Sequence, residues 1–268
     1  MPDSLTVALQ HGELELKGQF MLGSNYTFLV NVHYSGQELQ AVYKPSRGEQ
    51  PLWDFPDQTL AHREVAAYLV SQALGWCFVP LTVLRPDGPY GPGSIQQYIE
   101  YEPNYHYFNF SEEDKARLAP VMLFDLLCNN ADRKGSHVII EEGTGKLWLI
   151  DHGLCFHEED KLRTVIWDYA GQPIPDDLLE PLAHLPSDPS TALRQAQGGS
   201  PVPALSRPPA PPVAQAQAGQ ARNLLADLQP YLSPGEISAL LTRADTLVKT
   251  RVFPHPPEYR RAYPYPPV

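Results

Sequence analysis

A chain of 268 residues with 43% hydrophobic composition can bury a substantial core, as one large domain or as two small lobes. A formal charge of -11 and a pI near 5.2 disfavour a nucleic-acid partner or an anionic membrane surface, because the whole surface would oppose the encounter. Three cysteines (Cys77, Cys128, Cys155) without a C-x-x-C pair suggest neither a disulfide framework nor a four-thiolate zinc site.

The apolar and β-branched runs at 5–9, 13–17, 26–32 and 38–43 are separated by Gly, Ser and Asn turn residues and predict a β-meander. Leu60, Ala61, Val65, Tyr68, Leu69 and Ala73 then follow helical spacing, predicting a helix from a Thr59 cap to a stop at Gly75. Two further strand-like runs, 80–84 and 94–99, extend the sheet. Ser111-Glu112-Glu113-Asp114 opens a helical segment reaching Cys128, which Pro120 should kink or split. Here the pattern changes from β to α, so residues 1–100 are expected to form one lobe and 101–268 a mainly helical second one.

Residues 138–142, the Gly143-Thr144-Gly145 loop and residues 146–150 read as a hairpin. Pairing symmetric about Thr144 would place His137 opposite Asp151, bringing two metal-ligating side chains together at its open end. From about 186 to 220, Pro, Ala, Gln, Ser and Gly replace large apolar residues, which predicts a disordered insertion. Helical periodicity resumes at 221–229 and, after Ser233-Pro234-Gly235-Glu236, at 236–250. No basic-then-apolar leader and no run of roughly 18 apolar residues is present, so a cytoplasmic protein without integral membrane association is expected.

The polar loop Asn129-Asn130-Ala131-Asp132-Arg133-Lys134-Gly135-Ser136-His137 directly follows a helix, a position where folds display reactive groups. Phosphoryl transfer needs a carboxylate to orient the attacking hydroxyl, cations on the transferred group and metal between the phosphates. Asp132, then Lys134 or Arg133, and Asp151 with His137 could supply these in turn. His152, Cys155, His157 and Cys128 match no common four-ligand zinc spacing.

In motif order the chain resembles the atypical kinases of the phosphatidylinositol 3- and 4-kinase superfamily and the related HipA-type kinases. Phe124 to Arg133 is similar to their helix running into an Asp-Arg catalytic loop, and Ile150-Asp151-His152-Gly153 to their metal-binding Asp-Phe-Gly. The resemblance covers roughly residues 20–170. It implies a two-lobed, α+β protein-kinase-like fold and an ATP-dependent phosphotransferase using Mg²⁺ or Mn²⁺, with Asp132 the catalytic aspartate and Asp151 the metal ligand. It further implies that Lys44 is the ATP-binding lysine and Glu64 its helix-borne partner. Ser24 and Asn25, in Gly23-Ser24-Asn25-Tyr26-Thr27, would lie in the phosphate-covering loop. Gln97 and Tyr98 would belong to the segment whose backbone reads adenine.

Two positions depart from that pattern. His137 stands where kinases carry an asparagine five residues after the catalytic aspartate, and Lys134 replaces the histidine of Asp-Arg-His. Imidazole suits Mn²⁺ better than Mg²⁺, so His137 either biases the site toward manganese or only hydrogen-bonds its loop. The acceptor is expected to be a protein or small-molecule hydroxyl. The alternatives are nucleotidyl transfer on the same fold and a non-catalytic nucleotide-binding pseudokinase or interaction module.

Overall fold

Alternation along Phe28, Val30 and Val32 puts three apolar side chains on one face of a strand, and Ala41 with Tyr43 repeats this on the next. These residues, with Val83, Ile95 and Leu9, make the core under an antiparallel sheet. The structure, a computed structural model, describes residues 4–20, 25–186 and 224–268. Ser24 and residues 187–223, which hold nearly all of the expected disordered insertion, therefore lie outside the described residues.

Among the described residues the sheet has five strands: β1 (Glu13–Gln19), β2 (Phe28–Tyr34), β3 (Gln37–Pro45), β4 (Thr82–Arg85) and β5 (Gly93–Gln97). They are ordered β1-β2-β3-β5-β4, every pairing antiparallel. The run at 5–9, expected as a first strand, is instead the body of a helix, α1 (Ser4–His11). In Leu5-Thr6-Val7-Ala8-Leu9 the apolar residues fit the i, i+3, i+4 pattern as well as alternation, and burial of Ala8 and Leu9 against the sheet selects the helix. The guanidinium of Arg85 holds its end in place by donating to the carbonyl of Gly12.

The helix α2 (Leu60–Ala73) stops before Gly75, whose φ of 72° closes it in the left-handed region. Its start is satisfied from outside the local sequence. The Glu49 carboxylate accepts from the Leu60 and Ala61 N–H groups at 3.3 and 3.2 Å, whereas the Thr59 hydroxyl donates to the carbonyl of Pro56. Pro120 splits the next helical segment as expected, standing in the first turn of α4 (Ala119–Cys128) after the short α3 (Glu112–Lys115) that Ser111 caps.

The chain divides into two compact units, neither a single stretch. The first comprises residues 1–68, 77–106 and 136–154 and holds the sheet together with the hairpin β6 (Val138–Ile140) and β7 (Leu147–Leu149). Backbone bonds from Leu149 to Phe78 and from Glu142 to Glu100 fasten the hairpin within it. The second comprises 69–76, 107–135 and 155–268 and is mainly helical. It is built on α4, buried on nearly every side, α5 (Asp176–Ala183), a helical turn at 224–228, and α6 (Pro234–Thr250), which opens with a complete Ser233/Glu236 capping box. No described helix is long and apolar enough to cross a membrane.

Candidate active site

In the first unit, Lys44 lies near the end of β3, Glu64 in the second turn of α2, and Asp151 just after β7. The Lys44 ammonium forms an ion pair with Oε1 of Glu64 and lies 2.9 Å from Oδ1 of Asp151. Glu64 is 3% exposed in its side chain, and its other oxygen accepts the backbone N–H of His152 at 3.0 Å. Both oxygens of this buried carboxylate are thus engaged, which offsets its desolvation. The Asp151 side chain is 47% exposed, so one charged group of the cluster faces solvent.

Burial works against the charged form of Asp151, but the Lys44 ammonium and then His137 overcome it and hold the carboxyl well below the usual range. Burial likewise opposes the Lys44 ammonium, and Asp151 and Glu64 outweigh it, so the lysine is held above its ordinary value. Each partner therefore stays charged throughout the neutral range.

The hairpin does not pair as the symmetric reading expects. Val138 faces Leu149 and Ile140 faces Leu147, and the Ile150 N–H donates to the His137 carbonyl, so the partner of His137 is Ile150 and not Asp151. The loop is Glu142-Gly143-Thr144-Gly145, closed by the Gly145 N–H on the Glu141 carbonyl, one residue longer than the symmetric hairpin requires. His137 Nε2 nevertheless lies 3.2 Å from Oδ2 of Asp151. Asp151 takes a left-handed backbone with φ of 61°, which departs from the strand and turns its side chain back.

Two ligands at right angles on a cation with bonds of about 2.1 Å stand about 3 Å apart, close to this nitrogen–oxygen separation. The contact is that of an ion pair, and the same spacing would let the two side chains take adjacent positions on a divalent metal. Among the described residues there is no group of three or more His, Cys, Asp or Glu side chains able to hold one, so the remaining ligands would be phosphate and water oxygens.

The other expected nucleotide contacts are less direct. Asn25 accepts the Gln50 N–H on its side-chain oxygen at 2.8 Å. The N–H groups of Gln97 and Tyr98 donate to the carbonyls of Leu81 and Gln40, so these two donors are engaged within the chain. Gly93 matters more than its sequence suggested. A Cβ there would stand 2.4 Å from the Lys44 carbonyl and 2.8 Å from the Pro45 Cα, both backbone atoms of β3. Gly93→Ala is expected to cost about 1–3 kcal/mol in denaturant unfolding and to weaken any ligand that Lys44 holds.

In the second unit, Asp132 and Lys134 share the loop after α4, with Lys134 Nζ 3.5 Å from Oδ2 of Asp132 and the Asp132 N–H bonded to the Asn130 side chain. Asn129 ends α4 in the left-handed conformation, and its amide bonds the carbonyls of His157 and Glu159. Arg133, expected beside the transferred phosphoryl, is instead fully buried. Its Nε lies 2.9 and 3.2 Å from the two oxygens of Asp125, which also accepts from Thr164 and Asn130. Arg133 is therefore an anchor for the loop, leaving Lys134 as its cation nearest Asp132.

The sequence did not single out Asp125 as a partner. An aspartate inside the apolar run Val121–Cys128 is nonetheless the signal of a buried carboxylate that needs a cation. His152 is fully buried with Nδ1 3.9 Å from Glu64.

No protein-family model matches the chain. It is 36% identical over 293 residues to Protein Rv2133c of Mycobacterium tuberculosis, spanning 96% of this chain and 94% of that protein. The Golgi casein kinase with Mn/ADP bound shows a TM-score of 0.48 at 15% identity, over 98% of this chain and 80% of that one. The Helicobacter pylori proinflammatory kinase CtkA gives 0.44 at 14%, over 89% and 98%. Likeness at that level does not assign an activity.

Proposed function

The chain belongs to the family of Protein Rv2133c, and for it we propose an ATP-dependent phosphotransferase of the atypical, phosphatidylinositol-kinase-like type. The observation that carries this reading is the Lys44 ammonium set between the buried Glu64 and the half-exposed Asp151 in one compact unit. A lysine oriented by a helix carboxylate, next to a metal-ligating aspartate, is the arrangement that phosphoryl transfer uses to hold and neutralise a nucleoside triphosphate. In this reading Lys44 takes the phosphates, Glu64 orients it, and Asp151 with His137 holds the cation, whose charge would neutralise the phosphate oxygens.

Asp132 is given the acceptor, a protein or small-molecule hydroxyl. As that oxygen bonds to the γ-phosphorus, the bond from phosphorus to the β–γ bridging oxygen breaks, ADP leaves, and the hydroxyl proton passes to Asp132. Lys134 compensates charge beside it.

Calorimetric titration with ATP tests the proposal. Saturable binding with Mn²⁺ or Mg²⁺, lost with chelator, is expected; no binding under either metal would overturn it. Transfer of label from the γ- but not the α-position of ATP separates phosphoryl from nucleotidyl transfer. Asp132→Asn should keep ATP affinity while lowering turnover about 10²- to 10⁴-fold, which a binding-only module would not show. Manganese should support tighter binding than magnesium, and His137→Ala should remove that difference, because imidazole is the donor that prefers manganese.

A further inference from the structure

Within the second unit lies a cavity of about 650 Å³, the size of a ligand site, lined by none of the residues of the ion-pair cluster. Its walls carry Tyr107, Phe108, Trp167, Tyr263 and Tyr265, with one carboxylate, Asp168, among them. Asp168 accepts the Tyr107 hydroxyl on Oδ2 at 2.9 Å, and no described residue is bonded to Oδ1. Lys115 also reaches the wall, where it pairs with Glu112 at 3.3 Å.

Tyr263 and Tyr265 stand exposed on the bent tail with Pro264 buried between them, while Tyr107 and Phe108 meet edge to face at 5.0 Å. Tyr263 is 50% and Tyr265 79% exposed, so the cleft is open along its length. With two charged side chains among five rings it has too few polar groups to bind a sugar by its hydroxyls. A cleft open along its length also does not enclose a point cation.

The cleft borders the loop that carries Asp132. The Gly135 N–H donates to the Pro267 carbonyl at 2.8 Å, the Val165 N–H to the Arg133 carbonyl at 3.2 Å, and a Cβ on Gly135 would stand 2.8 Å from the Phe108 ring. Two of its lining residues are thus hydrogen-bonded to that loop, and a third, Phe108, lies against it.

We propose that this cleft docks an extended, proline-containing segment of a protein partner, with an arginine or lysine of that segment on Oδ1 of Asp168. A polyproline II strand fits a row of exposed rings because its prolines stack on aromatic faces and it has little conformational entropy left to lose. The acidic group gives the row a direction. Resting on the phosphotransferase reading, the docked segment belongs to the acceptor, which makes the acceptor a protein and the cleft its positioning surface beside Asp132.

The test titrates the full chain, without nucleotide, with a synthetic peptide of one arginine followed by eight prolines, alongside its Arg→Glu and all-alanine counterparts. Saturable binding of the arginine peptide is expected, with the other two at least about 10-fold weaker. Tyr265→Ala, at an exposed position, should weaken it about 10-fold. Asp168→Asn should abolish the preference for arginine over glutamate. No saturable binding, or equal binding by Tyr265→Ala, would overturn the proposal, as would saturable binding of tetramethylammonium in place of the peptide. ATP affinity measured on the same samples reports separately on the nucleotide site, so either reading can fail alone.

Discussion

Asp151→Asn is expected to eliminate metal-dependent ATP binding and to lower phosphoryl transfer by at least about 10²- to 10³-fold, the loss that follows removal of one preorganised charge. The replacement keeps the shape and removes the negative charge that faces both Lys44, at 2.9 Å, and His137, at 3.2 Å. Lys44 keeps its partner Glu64, so the fold should survive. Calorimetry with Mn²⁺ and a γ-phosphate transfer assay check the two halves. Transfer within tenfold of the parent protein would remove Asp151 from the metal site.

The sign of the pH dependence follows from the same contacts. Because folding depresses the Asp151 carboxyl, its stabilisation is complete above the unfolded value near 3.9 and is lost as pH falls through the lower folded value. Folding raises Lys44, whose contribution is present below its unfolded value near 10.4 and is lost as pH rises through the higher folded one. Between about pH 5 and 8 neither group titrates, so unfolding free energy measured across that window should show no slope from this pair.

Asp125→Ala should be the most damaging change to stability, at about 3–5 kcal/mol, because it leaves the fully buried Arg133 guanidinium without its carboxylate. Thr164 and Asn130 lose their acceptor as well, and the loop bearing Asp132 loses its anchor. Chemical denaturation gives the magnitude. The double variant Asp125→Ala with Arg133→Met should recover part of the loss, since it removes the uncompensated charge along with its partner. If the two single costs simply added, the ion pair would not be the source of the effect.

The hairpin shows how far sequence could be read. Its strands were legible from two apolar runs around Gly143-Thr144-Gly145, but the register was not, because shifting the loop by one residue changes no composition. The expected meeting of His137 with Asp151 occurs all the same, through the positive φ of Asp151, which no pattern in the sequence announces. Similarly, a five-residue apolar alternation near the amino terminus could not separate strand from helix until burial of Leu9 against the sheet decided it.

Arg133 marks the opposite case. Its place in an Asp-Arg-Lys loop suggested a cation for phosphate, and the fold engages it with Asp125, eight residues back along the chain. The start of α2 depends in the same way on Glu49, eleven residues before it.

By itself the sequence determined the periodicities: three of the four amino-terminal strands, the helices bounded by Gly75 and Ser233, the split at Pro120, and the order Lys44, Glu64, Asp132, Asp151. Those follow from local backbone preference and from which side chains can leave water. Only the tertiary structure decided which charges meet. It set Lys44 between Glu64 and Asp151, withdrew Arg133 into the core, and gathered the rings of 107–108, 167 and 263–265 along one cleft. Such pairings join residues far apart in sequence, and their energies depend on desolvation and distance, which only the folded chain sets.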